Sequence, residues 1–287
     1  MASNDFFLSS LTNPKVKTVV KLRQRSHRDE WKQMIAEGYR EIKRALDHDY
    51  KPTMLFYCEE LFLKGTNEPK LIERARAAGA EIYSCTAPVF LKMAYRERPE
   101  GLLAVGPQPH CRLEDLKLQT PHSLLLVAES IEKPGNLGTM LRTADAAGAD
   151  GVIVCDRCTD LYNPNVVRAS TGTIFSMPIV ECDGDSARAF LREHNFSILA
   201  STPHAEKLHF DVDLTGNVAL VVGAEQYGLT PAWMDGADLK VRIPMMGMAD
   251  SLNVSAATTI LLFEAIRQRV QAGIAIPPPP LPHHHDA

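Results

Sequence analysis

The amino-acid sequence predicts an α/β protein in two parts, the second built on a mostly parallel sheet. Three observations lead there. Apolar runs such as Ser123–Ala128 and Val218–Val222 show no polar alternation, which is the pattern of strands buried on both faces. Segments with helical periodicity lie between such runs, as Leu137–Ala147 does between Ser123–Ala128 and Gly151–Val154. A stretch of Pro and polar residues without periodicity, Pro107–His122, divides the chain.

The first part, residues 1–106, is expected to be a small α/β domain. Trp31, Ile35, Ile42 and Leu46 fall at helical spacing, so Arg28–Asp47 is expected to form one helix. Strands are expected at Thr53–Cys58, Glu81–Ser84 and Leu102–Val105, with a helix over Pro69–Ala78. Residues 107–122 form the expected linker. In the second part, residues 123–272, Ser123–Ala128 runs into a Pro134-Gly135-Asn136 turn. Asn136 is a candidate N-cap for the helix Leu137–Ala147, and Gly148 is placed to end it. Further strands are expected at Ser197–Ala200, Val218–Val222 and Leu239–Ile243, and a last helix at Asn253–Gln271. Residues 273–287, with Pro277–Pro280 and His283–His285, read as a flexible tail.

Composition narrows the function classes. The chain has 287 residues, 45% hydrophobic and 23% charged, which excludes a disordered protein and a disulfide-stapled miniprotein. No apolar run reaches the roughly eighteen residues of a membrane span, and the N-terminus lacks the pattern of a signal peptide. A cytoplasmic protein without membrane association is expected. Of six cysteines only Cys155 and Cys158 are close, and no second pair follows at zinc-ligand spacing, so no metal is expected. The net charge is −4, but residues 1–44 hold ten Lys/Arg against five Asp/Glu, a balance of +5. Lys15, Lys17, Lys21, Arg23, Arg25, Arg28 and Lys32 form a cluster able to neutralise phosphates, or else a solvated helix face.

Parallel sheets bind ligands beyond the carboxyl ends of their strands, so the loops there are the candidate site. They contain neither a dinucleotide-binding glycine pattern nor a P-loop. They do contain Asn136-Leu-Gly-Thr-Met-Leu-Arg142, then Gly223-Ala-Glu-Gln-Tyr-Gly228, then Ile243-Pro-Met-Met-Gly-Met-Ala-Asp-Ser-Leu-Asn-Val-Ser255. Taken singly, each has a bland reading: Asn136 only caps, Arg142 only pairs with a surface acid, and Ser251 or Asn253 only caps the last helix.

Taken together, the three loops resemble the motifs of the SpoU (TrmH) family of RNA ribose 2′-O-methyltransferases, in the SPOUT superfamily. Asn163-Pro-Asn-Val-Val-Arg168-Ala-Ser-Thr-Gly172 matches an intervening family stretch, and the resemblance runs for about 150 residues from Ser123. The first domain, with Asn13-Pro14-Lys15-Val16-Lys17 and Glu37-Gly38, resembles the family's ribosomal-protein-L30-like (L30e-like) substrate-binding domain.

The resemblance implies a deep trefoil knot and S-adenosylmethionine as cofactor, with Gly223, Ile243, Leu252 and Thr202 at the positions of cofactor contacts. It implies Asn136, Arg142, Glu225, Ser251 and Asn253 as the catalytic set. A free guanidinium titrates above about 12, so phosphate binding and alkoxide stabilisation suit Arg142 better than proton abstraction. Lys15, Lys17, Arg23, Arg25, Arg28 and Arg168 are the implied RNA contacts. The implied substrate is 23S ribosomal RNA in preference to transfer RNA. Length and domain order resemble antibiotic-resistance ribosomal RNA methyltransferases of the avilamycin or thiostrepton type. A homodimer through the catalytic domain is implied, with Ile260, Leu261, Phe263 and Ile266 of the last helix near its interface. The rival readings are a transfer RNA methyltransferase and a non-catalytic RNA-binding assembly factor.

Overall fold

The computed structural model describes residues 5–274, so the Pro/His tail read from the sequence falls mostly outside the described residues. In chain order the first elements are β1 (Phe6–Leu8), α1 (Pro14–Lys21), α2 (Arg25–Trp31), β2 (Gln33–Glu37), α3 (Tyr39–Asp47), β3 (Met54–Tyr57), α4 (Glu68–Ala77), β4 (Glu81–Cys85), α5 (Ala87–Met93) and β5 (Leu102–Pro107). They build a five-stranded sheet in the order β1-β4-β3-β5-β2, parallel among β1, β4 and β3 and antiparallel at β5. Leu8, Phe56, Tyr83, Leu103 and Val105 of the sheet pack with Val16, Val19 and Leu22 around α1, and with Val89, Phe90 and Met93 of α5.

The single helix expected over Arg28–Asp47 is not formed; the segment is helix, strand, helix. Lys32 adopts φ +53 and Gly38 φ +111, and each ends a regular element. A Cβ at Gly38 would lie 2.6 Å from a Glu41 carboxylate oxygen, so only glycine turns the chain there. Between them Met34–Ala36 is a short apolar run, which periodicity cannot assign to helix or strand. Its partners decide: β2 pairs with β5 and is covered by a later segment, α7, described below.

The second set is β6 (Leu124–Glu129), α6 (Pro134–Ala146), β7 (Gly151–Cys155), α7 (Pro164–Ala169), β8 (Ile179–Cys182), α8 (Gly184–Glu193), β9 (Ser197–Ser201), β10 (Lys207–Leu208), β11 (Val218–Val222), α9 (Pro231–Gly236), β12 (Leu239–Arg242) and α10 (Val254–Gln271). Its seven-stranded sheet has the order β10-β12-β9-β11-β6-β7-β8, and every pairing is parallel. The expected strands are present, and every residue of β6, β7 and β11 is buried, as their unbroken apolar runs require. Gly148, at φ +63, follows the end of α6.

By contacts the chain forms two compact units, divided between Pro109 and His110, with Leu161–Ser176 belonging to the first. The expected linker is therefore not free. Gln108 donates to the Arg28 and Gln33 carbonyls in the first unit, while Cys111 bridges Val180 and Leu116 is buried in the second. Leu161–Ser176 leaves the second sheet between β7 and β8 and places α7 against β2. No described helix is long and apolar enough to cross a membrane.

A charged cluster organises the Gly38 turn. The Arg96 guanidinium reaches Glu41 at 2.8 Å, Glu100 at 2.5 Å and the Glu37 carbonyl at 2.7 Å. Burial pushes the Glu37 and Glu41 carboxyls up, and Arg96 opposes the shift in both. Arg96→Met should destabilise the protein by about 3–5 kcal/mol in urea unfolding at neutral pH, because it strands buried carboxylates. A carboxyl with a raised folded pKa stabilises at low pH and loses that contribution as pH rises through the folded value. The deficit of the variant should therefore shrink as the pH is lowered toward 5.

Candidate active site

Four neighbouring strands, β12, β9, β11 and β6, end on one edge of the second sheet, and the three polar loops leave from there. Ile243 follows β12, Thr202 follows β9 and Gly223 follows β11, so three of the expected cofactor positions stand at adjacent strand ends, all half-buried. The Thr202 amide donates to the Val241 carbonyl at 3.0 Å, which ties two of these ends together. Leu252, the fourth, is exposed in the loop before α10.

Gly223 opens a narrow loop. Gly228 N–H donates to the Ala224 carbonyl at 2.9 Å, which leaves Glu225, Gln226 and Tyr227 at the tip. A Cβ on Gly223 would lie 2.4 Å from the Gly228 carbonyl carbon, and Gly228 itself has φ +68. Both glycines are thus dictated by the loop's own backbone.

Glu225 points back from this tip. Asn136 Nδ2 donates to its Oε1 at 2.5 Å, and the Glu132 amide donates to Oε2 at 3.4 Å. Asn253 Nδ2 donates in turn to Asn136 Oδ1 at 3.1 Å. Asn253 Oδ1 accepts from the Ser255 amide at 3.0 Å and its hydroxyl at 2.6 Å, and so caps α10. Burial pushes the Glu225 carboxyl up, but the bonds from Asn136 and from backbone amides, with the nearby Lys133 charge, outweigh it and hold it below the usual range. It is the ionised acceptor that fixes Asn136 as donor at one end and acceptor at the other.

Asn136 is therefore not the N-cap expected of it. Lys133 occupies that position, Pro134 begins α6, and Asn136 sits in the first turn with its side chain committed to Glu225 and Asn253. The structure brings Asn136, Glu225 and Asn253 together by hydrogen bonds. Arg142, further along α6, is exposed and makes no side-chain bond among the described residues. Ser251 is exposed and, among the described residues, donates only to its neighbour Asp250 at 3.1 Å.

One carboxylate escaped the sequence analysis. Glu129, at the end of β6 and 1% exposed, accepts from the Thr230 amide at 2.9 Å and the Thr230 hydroxyl at 2.7 Å. It pins the far end of the Gly223 loop. A lone acid closing an apolar run carries no signal of that contact.

The basic cluster of the first unit is partly used inside the fold. Arg28 is only 2% exposed and donates to the Leu22 carbonyl at 2.6 Å, so it is removed from the expected RNA contacts: a buried guanidinium cannot meet a phosphate. Arg23 donates to the Lys92 and Ala94 carbonyls at 2.5 Å each. Lys15 pairs with Glu81 at 2.9 Å and Arg25 with Asp29 at 3.3 Å. Lys17 and, on α7, Arg168 are exposed. Cys155 is buried and faces Cys182 across β7 and β8, while Cys158 is exposed. Among the described residues no group of three or more His, Cys, Asp or Glu is placed to hold a metal ion.

The SpoU rRNA Methylase family matches residues 123–263, and the MRM3-like substrate binding domain matches residues 13–104. The chain belongs to the SpoU rRNA methylase family and is an RNA methyltransferase. It is 31% identical over 264 residues, 90% of each chain, to the 23S rRNA (uridine(2479)-2′-O)-methyltransferase of Streptomyces viridochromogenes. It is 30% identical to the 23S rRNA (guanosine(2553)-2′-O)-methyltransferase RlmP of Bacillus subtilis, over 89% of this chain and 97% of that one. Among solved structures, the AdoMet-bound rRNA methyltransferase from Sinorhizobium meliloti superposes with TM-score 0.84 at 31% identity, covering 92% of this chain and 98% of that one.

The cap gives a direct test. Asn253→Ala should lower stability by about 1 kcal/mol in thermal or urea unfolding, the usual loss for an N-cap, while Asn253→Asp, which can cap but cannot donate to Asn136, should recover only part of it.

Proposed function

We propose that this protein transfers a methyl group from S-adenosylmethionine to a ribose 2′-hydroxyl of 23S ribosomal RNA. The observation that carries this reading is the Glu225–Asn136–Asn253 chain of hydrogen bonds, which joins the three loops at the strand ends, with Arg142 exposed on the same helix as Asn136. The relatives that act on 23S rRNA support the substrate, since they align along nearly the whole chain, first unit included. That substrate also makes the cytoplasm its place of work.

The residues at the strand ends fit the cofactor. Gly223, Thr202 and Ile243 offer mostly backbone donors and acceptors side by side, and Leu252 adds apolar surface. Bound there, S-adenosylmethionine supplies an electrophilic methyl group on a sulfonium. Arg142 would hold the phosphate beside the target ribose and stabilise the 2′-oxygen as it gives its proton to solvent water. Asn136, fixed by Glu225 and Asn253, orients that ribose, and Ser251 adds a hydroxyl from the third loop. Arg168, Lys17 and the partly paired Lys15 and Arg25 meet further phosphates, with Arg23 shaping the surface beneath them. The first unit is read as L30e-like, and the loops of the second as threaded into the trefoil knot of the family.

A homodimer belongs to the same reading. Ile260 and Phe263 are 38% and 46% exposed on one face of α10, joined by Val270 at 50%, and this stripe suits a partner helix. Leu261, expected on that face, is 1% exposed and belongs to the core; Ile266 is half-buried.

The test is transfer of labelled methyl from S-adenosylmethionine to unmodified 23S rRNA, with transfer RNA in parallel, followed by nucleoside analysis. Label is expected as a 2′-O-methylnucleoside in 23S rRNA. Arg142→Ala should lower kcat about 10²–10³-fold without unfolding the protein. Label in transfer RNA alone would keep the chemistry and overturn the substrate. Gly223→Ala should weaken cofactor binding in calorimetry, because the added methyl displaces the Gly228 backbone from the strand end.

A further inference from the structure

One end of the sheet in the first unit carries an aromatic stack that reaches the surface. Phe56 on β3 stacks on Tyr83 of β4, with ring centroids 4.9 Å apart and an interplanar angle of 16°. Tyr83 stacks in turn on Phe6 of β1, at 5.3 Å and 29°. Phe56 and Tyr83 are buried, but Phe6 is 56% exposed, so the stack ends in a ring open to solvent. An exposed phenylalanine on a sheet edge is unfavourable in water and invites a covering partner.

Beside the stack lies an open cleft of about 500 Å³, lined among others by Lys15, Gln33, Lys51, Thr53 and Glu81. Lys15 connects the two features: its ammonium stands 5.6 Å from the Tyr83 ring centroid and bonds Glu81, which also accepts the Tyr83 hydroxyl at 2.6 Å. Glu81 offsets Lys15 alone. Lys51, Lys17 and Lys21 are exposed and make no ion pair among the described residues. Of the charged residues lining the cleft, two are the lysines Lys15 and Lys51 and one is Glu81.

An exposed aromatic ring, a lysine over its stacking partner, a second lysine in the adjoining cleft and the size of that cleft together describe a site for an unstacked base and its phosphates. From this geometry we infer that the first unit binds an unpaired nucleotide of the RNA substrate, with the base stacked on Phe6 and the adjacent phosphates held by Lys15 and Lys51. The inference rests on the RNA reading above and deepens it, since it assigns the first unit a single-stranded element instead of a duplex. Phe6 supplies stacking without base identity, and Gln33 and Thr53 are the uncharged polar side chains lining the cleft.

Fluorescence anisotropy of the full chain with labelled oligouridylate and with an RNA duplex of equal length tests it. The single strand should bind more tightly. Phe6→Ala should weaken that binding about tenfold, the loss typical of one base deprived of its aromatic partner. Phe6→Leu, which keeps an apolar cover on Tyr83, should lose as much, and Phe6→Trp should bind as the parent does. Lys51→Ala should lower the slope of log K against log salt by about 0.7. Unchanged affinity in Phe6→Leu, with the fold intact by circular dichroism, would overturn the site. A change of oligomeric state in that variant, with RNA affinity unaltered, would also overturn it and assign the face to a second copy. Methylation of 23S rRNA, run in parallel, separates the two readings. Phe6-dependent binding of the single strand supports the site even if no 23S rRNA is methylated. Methylation with an unchanged KM in Phe6→Leu, together with unchanged binding, rejects the site alone.

Discussion

The site depends on one constraint at the strand ends: a half-buried carboxylate, two amides and a helix end must satisfy one another. Glu225 accepts from Asn136, Asn136 accepts from Asn253, and Asn253 accepts from the first turn of α10. Each amide is oriented by having one side committed as donor and the other as acceptor. Because the ionised Glu225 can only accept, the direction of the whole chain is set from that end. Three loops distant in sequence are thereby held to one geometry, which is what preorganised catalysis requires.

The scaffold supports this from below. β6 and β11 lie next to each other in the middle of a wholly parallel sheet, and Glu129 at the tip of β6 holds Thr230 beyond the Gly223 loop. The loop itself is so tight that its glycines have no substitute. Thr143 of α6 and Thr259 of α10 meet at 3.3 Å, so the helices bearing Asn136 and following Asn253 are also joined along their length. Rigidity at the strand ends thus comes from backbone contacts and short polar links more than from bulk.

Much of this was legible in the sequence, for identifiable reasons. The strands of the second unit are unbroken apolar runs, and the loops are marked by glycines and amides at fixed spacing. The family resemblance drew Asn136, Glu225 and Asn253 into one set, and Asn136 hydrogen-bonds each of the other two. What escaped was decided by partners distant in the chain. Gln33–Glu37 is a strand because β5 and α7 flank it, and no local period says so. Arg28 resembles its basic neighbours in sequence, yet its side chain turns inward to a carbonyl. Asn136 has the residue type of a cap, but a stronger acceptor from another loop claims it. The assignment of Leu161–Ser176 to the first unit likewise rests on contacts that no local pattern records.

The order of the strands has a consequence for synthesis. Leu124 of β6 pairs with Val218 of β11, 94 positions later, and the pairing continues to Ala128 and Val222. At a translation rate of about 5–20 residues per second, one edge of this strand, apolar but for its terminal Glu129, waits on the order of 5–20 seconds for its partner. β7 can cover the other edge sooner, since it follows within the same βαβ unit. The nascent second unit therefore passes through an interval in which its most hydrophobic segment is half-paired, and yield in the cell should depend on chaperone capacity and growth temperature more steeply than equilibrium stability would indicate.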